Sequence, residues 1–204
     1  MRKESIPVGE EARVDEKLRK MQELYDAFKS EAAAYKANAA CKKGCAFCCS
    51  GAGSIDITTL EGLGIRAEMR RLVRPQQLTV KKALAQDMRR REAGQTNACP
   101  FLMKSKTCLI YAVRPFSCRR IYSVQACNSN SPPLLSRTVM QIAEGTIRQL
   151  QRLDDTGYSG HISFILYMLE VPKFLATYLA GEHKPEEVML FGRAHRILIN
   201  RMGA

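Results

Sequence analysis

Four cysteines fall within nine consecutive positions, at Cys41, Cys45, Cys48 and Cys49 in the run CKKGCAFCCS. No other feature constrains the chain so tightly, because thiols crowded into one loop need a common chemical purpose: a disulfide knot, a metal-thiolate site or a redox-active pair. A chain of 204 residues, 46% of them hydrophobic, can bury a core without disulfides. The opening MRKESIPVGEEARVDEK scatters its charges and has no apolar run of the kind a secretory signal carries. The most apolar stretch, HISFILYMLEVPKFLATYLAG, is interrupted by Glu170, Pro172 and Lys173, so no bilayer span is expected. The expectation is a soluble cytoplasmic protein with no membrane segment. In that compartment thiols stay reduced, and clustered cysteines read as metal ligands or catalytic groups.

The spacing carries the argument further. Cys45 and Cys48 are separated by two residues, the spacing at which a tight turn directs two sulfurs at one ion while nearby N–H groups bond to the thiolates. Cys41, four residues earlier, reaches the same point, and a tetrahedral zinc or a cubane then needs one ligand from afar. Neighbouring side chains diverge and a Cys48–Cys49 disulfide is strained, so Cys49 is expected to face a second centre or a second metal. Cys99, Cys108 and Cys118 are too far apart for local knuckles and read as single ligands from successive loop corners. Cys127, among Gln125, Ala126, Asn128 and Ser129, is as readily an ordinary thiol as a ligand. Lys42, Lys43 and Gly44 are poor core neighbours, which argues against a set of merely packed thiols. Thiolate-only ligation suits both zinc and iron–sulfur chemistry. The trio plus a distant fourth ligand leans toward an iron–sulfur cluster, [4Fe–4S] in form.

Around the cysteines the chain reads as mainly α, a helical domain about a loop-rich cysteine cluster with at most a short β-hairpin. Residues 1–40 carry an amphipathic helix, with Val14, Leu18, Met21, Tyr25 and Phe28 on one face. Residues 41–133 form the cysteine-cluster region with two helices. The first follows a flexible GAGS link and opens on Thr58 with Glu61 three positions later, a capping box; the second begins at Pro75 and ends near Gly94. Within 95–133 the run CLIYAV is the only strand-like stretch. Residues 134–204 read as helices over LLSRTVMQIAEGTIRQLQRL, GHISFILYMLE, KFLATYLAG and PEEVMLFGRAHRILINRM.

The combination CKKGCAFCC, TTLEG, CPFL and CLIYAVRPFSCR resembles the bacterial cysteine-cluster proteins known as a zinc- or iron-chelating domain, often called YkgJ-like. The resemblance spans Cys41 to about Arg120. It implies metal-ligand roles for Cys41, Cys45, Cys48, Cys49, Cys99, Cys108 and Cys118, and is silent on Cys127. Some proteins similar to these carry an iron–sulfur cluster, and the flagellin lysine N-methylases share a related pattern, but no glycine-rich adenosylmethionine loop is present here. CKKGCAFC also fits the three-cysteine signature of radical S-adenosylmethionine enzymes over eight residues. A long helix before it and the lack of a strand–helix repeat after it argue against that fold.

Arg114, Arg119 and Arg120 bracket Cys118 and are candidates to donate hydrogen bonds to a cofactor's sulfurs, or else to pair with surface carboxylates. Tyr111 and Tyr122 are expected only to shield the site. His161, His183 and His195 stand apart from the cysteines and read as surface or core side chains. No catalytic triad, phosphate-binding glycine loop or paired-carboxylate helix is visible, so hydrolytic and nucleotide-dependent activities have no residues to rest on. The formal charge of +12, with basic runs at Arg70–Arg74 and Arg89–Arg91, suits a solvated surface or a nucleic-acid partner. Three functions remain open: a redox or electron-transfer component, such as an iron–sulfur oxidoreductase subunit with a protein partner; a zinc scaffold for nucleic acid; and a metal chelator or carrier.

Overall fold

The computed structural model describes residues 8–42, 44–51 and 54–201. Residues 1–7 of the N-terminal segment, Lys43, residues 52–53 of the GAGS link and Met202 of the last expected helix lie outside the described residues.

The apolar face read at the N-terminus forms α1 (Val8–Glu31), followed by the short α2 (Ala33–Ala37). Tyr25 and Phe28 on that face are buried against α7 (Arg137–Leu153), whose Val139, Ala143 and Leu150 recur at the helical spacing that one apolar stripe requires. Ser136 caps α7 by accepting the Val139 N–H. Phe116 and Tyr122 complete this layer, with Phe116 edge-on to Phe28 at 4.8 Å between ring centroids.

The second layer is built on α8 (Ile162–Glu170), in which Ile162, Phe164, Ile165, Leu166, Met168 and Leu169 are all buried. Against it lie α4 (Thr59–Arg71) and α5 (Arg74–Glu92). The expected capping box is present: Glu61 N–H donates to Thr58 Oγ1 at 3.1 Å and Thr58 N–H donates to Glu61 Oε2 at 2.8 Å. Gly62 is accommodated within the continuous α4 because a Cβ there would stand 2.7 Å from the Leu169 side chain and 3.1 Å from Ile165. Close helix approach thus outweighs the roughly 1 kcal/mol propensity cost of glycine.

The chain is mainly α, 61% helical, with a small three-stranded antiparallel sheet. The strands β1 (Asp56–Thr58), β2 (Tyr158–His161) and β3 (Ile199–Arg201) run in that order, with Ile57 opposite Gly160 and Gly160 opposite Ile199. This sheet joins segments a hundred residues apart and alters two expected helices. The helix expected from Gly160 starts at Ile162, since Tyr158–His161 pairs on both sides. The last helix, α10 (Pro185–His195), stops where Arg196 turns left-handed at φ 53° and Ile197 N–H closes on Gly192 O at 3.0 Å. α9 (Pro172–Leu179) follows α8 across a 91° bend, and among the described residues no single helix is long and apolar enough to cross a membrane.

Candidate metal centre

CLIYAV, expected as a strand, is none. Cys108 makes one isolated bridge with Leu102, and Tyr111–Val113 forms a 3₁₀ turn. The reason is local: Tyr111 N–H closes on Cys108 O, Val113 N–H closes on Ile110 O, and Ile110 N–H is directed at the Cys108 sulfur. Those donors are spent within the turn, so no ladder can form. Cys99 repeats the device, its sulfur accepting the N–H of Phe101 two residues on. Two N–H···S turns are the local structure in which a thiolate is stabilised by its own backbone.

The remaining cysteines are placed by equally short elements. Cys48 and Cys49 occupy the single turn α3 (Phe47–Ser50), where successive residues point about 100° apart. Cys49 O accepts the Cys99 N–H at 2.7 Å, which locks the first cysteine loop onto the second. Cys118 sits in α6 (Phe116–Arg119), its N–H on Pro115 O. Cys41 Sγ accepts the N–H of Ser123 at 3.2 Å, and Ala40 N–H bonds Ser123 O at 2.8 Å. The buried hydroxyl of Ser123 donates to Gln125 O and accepts from Leu134 N–H, holding the loop that carries Cys127. Nothing in the sequence marked Ser123, because its role depends on contacts made eighty positions away.

All eight thiols are free and fall into two groups of neighbours. Burial pushes the Cys48 thiol up to about 11, and Cys127, Cys41, Cys49 and Cys45 add to the rise. Burial pushes Cys99 up to about 12, opposed by the Phe101 N–H and reinforced by Cys49, Cys108 and Asp87. Cys118 is raised well above the usual thiol range by burial, then by Cys99, Cys49 and Cys108, with Arg114 opposing. Burial likewise raises Cys49, whose next contributors are Cys108 and Cys45. Cys127, Cys41 and Cys45 thus lie about Cys48, and Cys99, Cys108 and Cys118 lie about one another, while Cys49 neighbours both sets, with Cys45 and Cys48 on one side and Cys99, Cys108 and Cys118 on the other. We term Cys41, Cys45, Cys48 and Cys127 the outer thiols and Cys49, Cys99, Cys108 and Cys118 the inner ones. The Cys48–Cys49 peptide is the joint. Thiols raised in this way stay protonated unless a cation compensates the thiolates, which is what a bound metal does. Among the described residues no three His, Cys, Asp or Glu side chains stand in the geometry of a closed metal site. The donor set nevertheless fits one: soft sulfur, four thiols to a group, and N–H···S bonds already formed.

The arginines separate in role. Arg114 lies within electrostatic reach of Cys108 and Cys118. Arg119 bonds the carbonyls of Arg114 and Ala112 and lies over the Tyr25 ring, while Arg120 reaches Met140 Sδ at 4.0 Å. His161 is buried beside Asp87, His183 stacks on Tyr158, and His195 meets Glu92 at 2.6 Å. Of the basic runs, Arg91 is committed to the buried Asp87 at 3.0 Å. Glu61, singled out only as a cap, does more. Its carboxylate also accepts Tyr25 Oη–H at 2.5 Å and Phe116 N–H at 2.7 Å, tying α1 and α4 to the turn bearing Cys118.

The family model described as "CxxCxxCC: Putative zinc- or iron-chelating domain" matches residues 40–145, a span that includes Cys127. The chain's own first spacer holds three residues, Lys42, Lys43 and Gly44, with Gly44 at φ +86°. No curated protein and no solved structure matches the chain.

Proposed function

Because the chain belongs to the family of CxxCxxCC zinc- or iron-chelating domains, and so binds metal through its cysteines, we propose that it holds two metal centres and serves as a redox or electron-transfer component. The inner centre takes Cys49, Cys99, Cys108 and Cys118; the outer takes Cys41, Cys45, Cys48 and Cys127. The observation that supports this reading is that the eight free thiols gather about two places, Cys48 with Cys41, Cys45 and Cys127, and Cys118 with Cys49, Cys99 and Cys108, joined at the Cys48–Cys49 peptide.

The outer set joins three sulfurs from one loop to a fourth from a distant one, the arrangement that favours an iron–sulfur cluster there. Such a cluster would supply a one-electron couple near the surface, where Cys41 and Cys45 are exposed to a redox partner. A tetrathiolate around either Zn²⁺ or a [4Fe–4S]²⁺ core carries about two negative charges, which Arg114 offsets on the inner side.

Metal and acid-labile sulfide, measured together with the visible spectrum on protein purified without air, test the proposal. Iron with matching sulfide and a band that bleaches on reduction support it. Zinc without sulfide replaces electron transfer by a scaffold or carrier role, and protein without metal overturns the two-centre reading.

A further inference from the structure

We propose that the cleft between α1 and the Tyr111–Arg119 segment binds a small phosphate-bearing organic molecule beside the inner cysteine group. The cleft has a volume of about 380 Å³, the size of a small-ligand pocket. Four cationic side chains, Lys29, Lys36, Arg114 and Arg119, line it against one carboxylate, Asp26. Asp26 already accepts the Gln22 amide at 3.1 Å. Like charges gathered in one concavity repel; Asp26 and Glu61 offset part of this at Arg119, and an anion sharing the cleft would relieve the rest.

The two arginines are held rather than free to roam. Arg119 donates to Arg114 O at 2.7 Å and Ala112 O at 2.8 Å, with its guanidinium 4.5 Å above the Tyr25 ring centroid. Arg114 donates to Tyr111 O at 3.2 Å and lies 3.8 Å over the Tyr111 ring. Among the described residues neither has a carboxylate within ion-pair distance. A guanidinium has five N–H donors, so each keeps unspent donors on a plane fixed by a tyrosine. Pre-set guanidinium forks match the oxygens of a phosphate, and the surplus of cations suits a dianion better than a single carboxylate. Arg114 also neighbours Cys108 and Cys118, so the bound molecule lies next to the inner group whichever metal that group holds.

Isothermal titration of the protein as purified, with its metal content recorded, tests this with three probes: adenosine diphosphate, inorganic phosphate and adenosine. Saturable binding of the diphosphate tighter than about 1 mM, with weaker phosphate binding and no adenosine binding, is the expected result. Lys29→Glu with Lys36→Glu, both exposed and neither a candidate metal ligand, should weaken it at least tenfold at unchanged metal content; Arg114→Gln should abolish it. Absence of diphosphate binding overturns the proposal, as does equal binding of adenosine. Diphosphate binding that survives the lysine substitutions belongs to the metal and also overturns it. A sample without metal that still binds diphosphate supports the cleft and counts only against the metal centres.

Discussion

The inner and outer cysteine groups use the same functional group and differ in what surrounds it. Cys99, Cys108 and Cys118 pack against the main core beside Phe101 and Ile110, both almost fully buried, whereas Cys41 and Cys45 are exposed on the loop after α2. The inner sulfurs come from segments with little regular structure of their own, anchored by the buried Phe101, Ile110 and Phe116, so metal bound there would cross-link loops that those side chains already hold to the core. Among the outer sulfurs Cys41 and Cys45 are exposed, so metal held there would be open to solvent. Identical ligands thus suit a structural role in one place and an accessible, exchangeable one a few residues away.

The sharpest way to break the comparison is to remove one ligand from each side. Cys99→Ser should cost more than about 4 kcal/mol, because it would strip a ligand from the proposed inner centre and leave the other buried thiolates uncompensated. It should appear as aggregation or a large fall in melting temperature. Glu61→Ala comes next: it strips acceptors from Tyr25, Thr58 and Phe116 in a buried site, and roughly 3 kcal/mol is expected from stranded donors of this kind. Denaturant unfolding measures it, and a change below about 1 kcal/mol would show that the clamp on the Cys118 turn is dispensable.

Cys127→Ser should move stability by less than about 1 kcal/mol yet remove the outer metal, halving the count of centres in elemental analysis. Unchanged metal would assign Cys127 to no centre. In the unaltered protein a chelator should empty the outer centre first, in a biphasic release; a single phase would erase the distinction between the groups.

The smallest effect is a pH control that involves neither group. Burial raises Asp154 to about 6 and lowers His161 to about 4. Folded Asp154 keeps a proton that the unfolded chain has lost, so its contribution falls as pH rises from about 4 to 6. Folded His161 lacks a proton that the unfolded chain holds, so its contribution rises from about pH 4 to 6.5. The slopes oppose each other. Asp154→Asn should therefore leave stability climbing with pH across this window and His161→Gln should leave it falling, as read from urea midpoints at constant metal loading.

Much of this was legible in the residues. The apolar face of α1, the Thr58–Glu61 capping box, the Pro75 start of α5 and the family of the cysteine motif all follow from interactions within a few positions of chain. The three-stranded sheet was not, because β1, β2 and β3 are each three or four residues long and become strands only by pairing across the molecule. The strand-like CLIYAV failed for the opposite reason: its β propensity yielded to hydrogen bonds directed at a sulfur and into a 3₁₀ turn.

By itself the sequence determined that thiols crowd at Cys41–Cys49 and that the chain around them is mainly helical, since these depend on covalent neighbours and helical period. Only the tertiary structure decided that Cys127 comes close to Cys48, that Cys49 comes close to Cys99, Cys108 and Cys118 as well as to its chain neighbours, and that Glu61 and Ser123 fix the loops between them. Partnership across eighty residues is set by which surfaces bury one another, and that is a property of the packed chain rather than of any stretch of it.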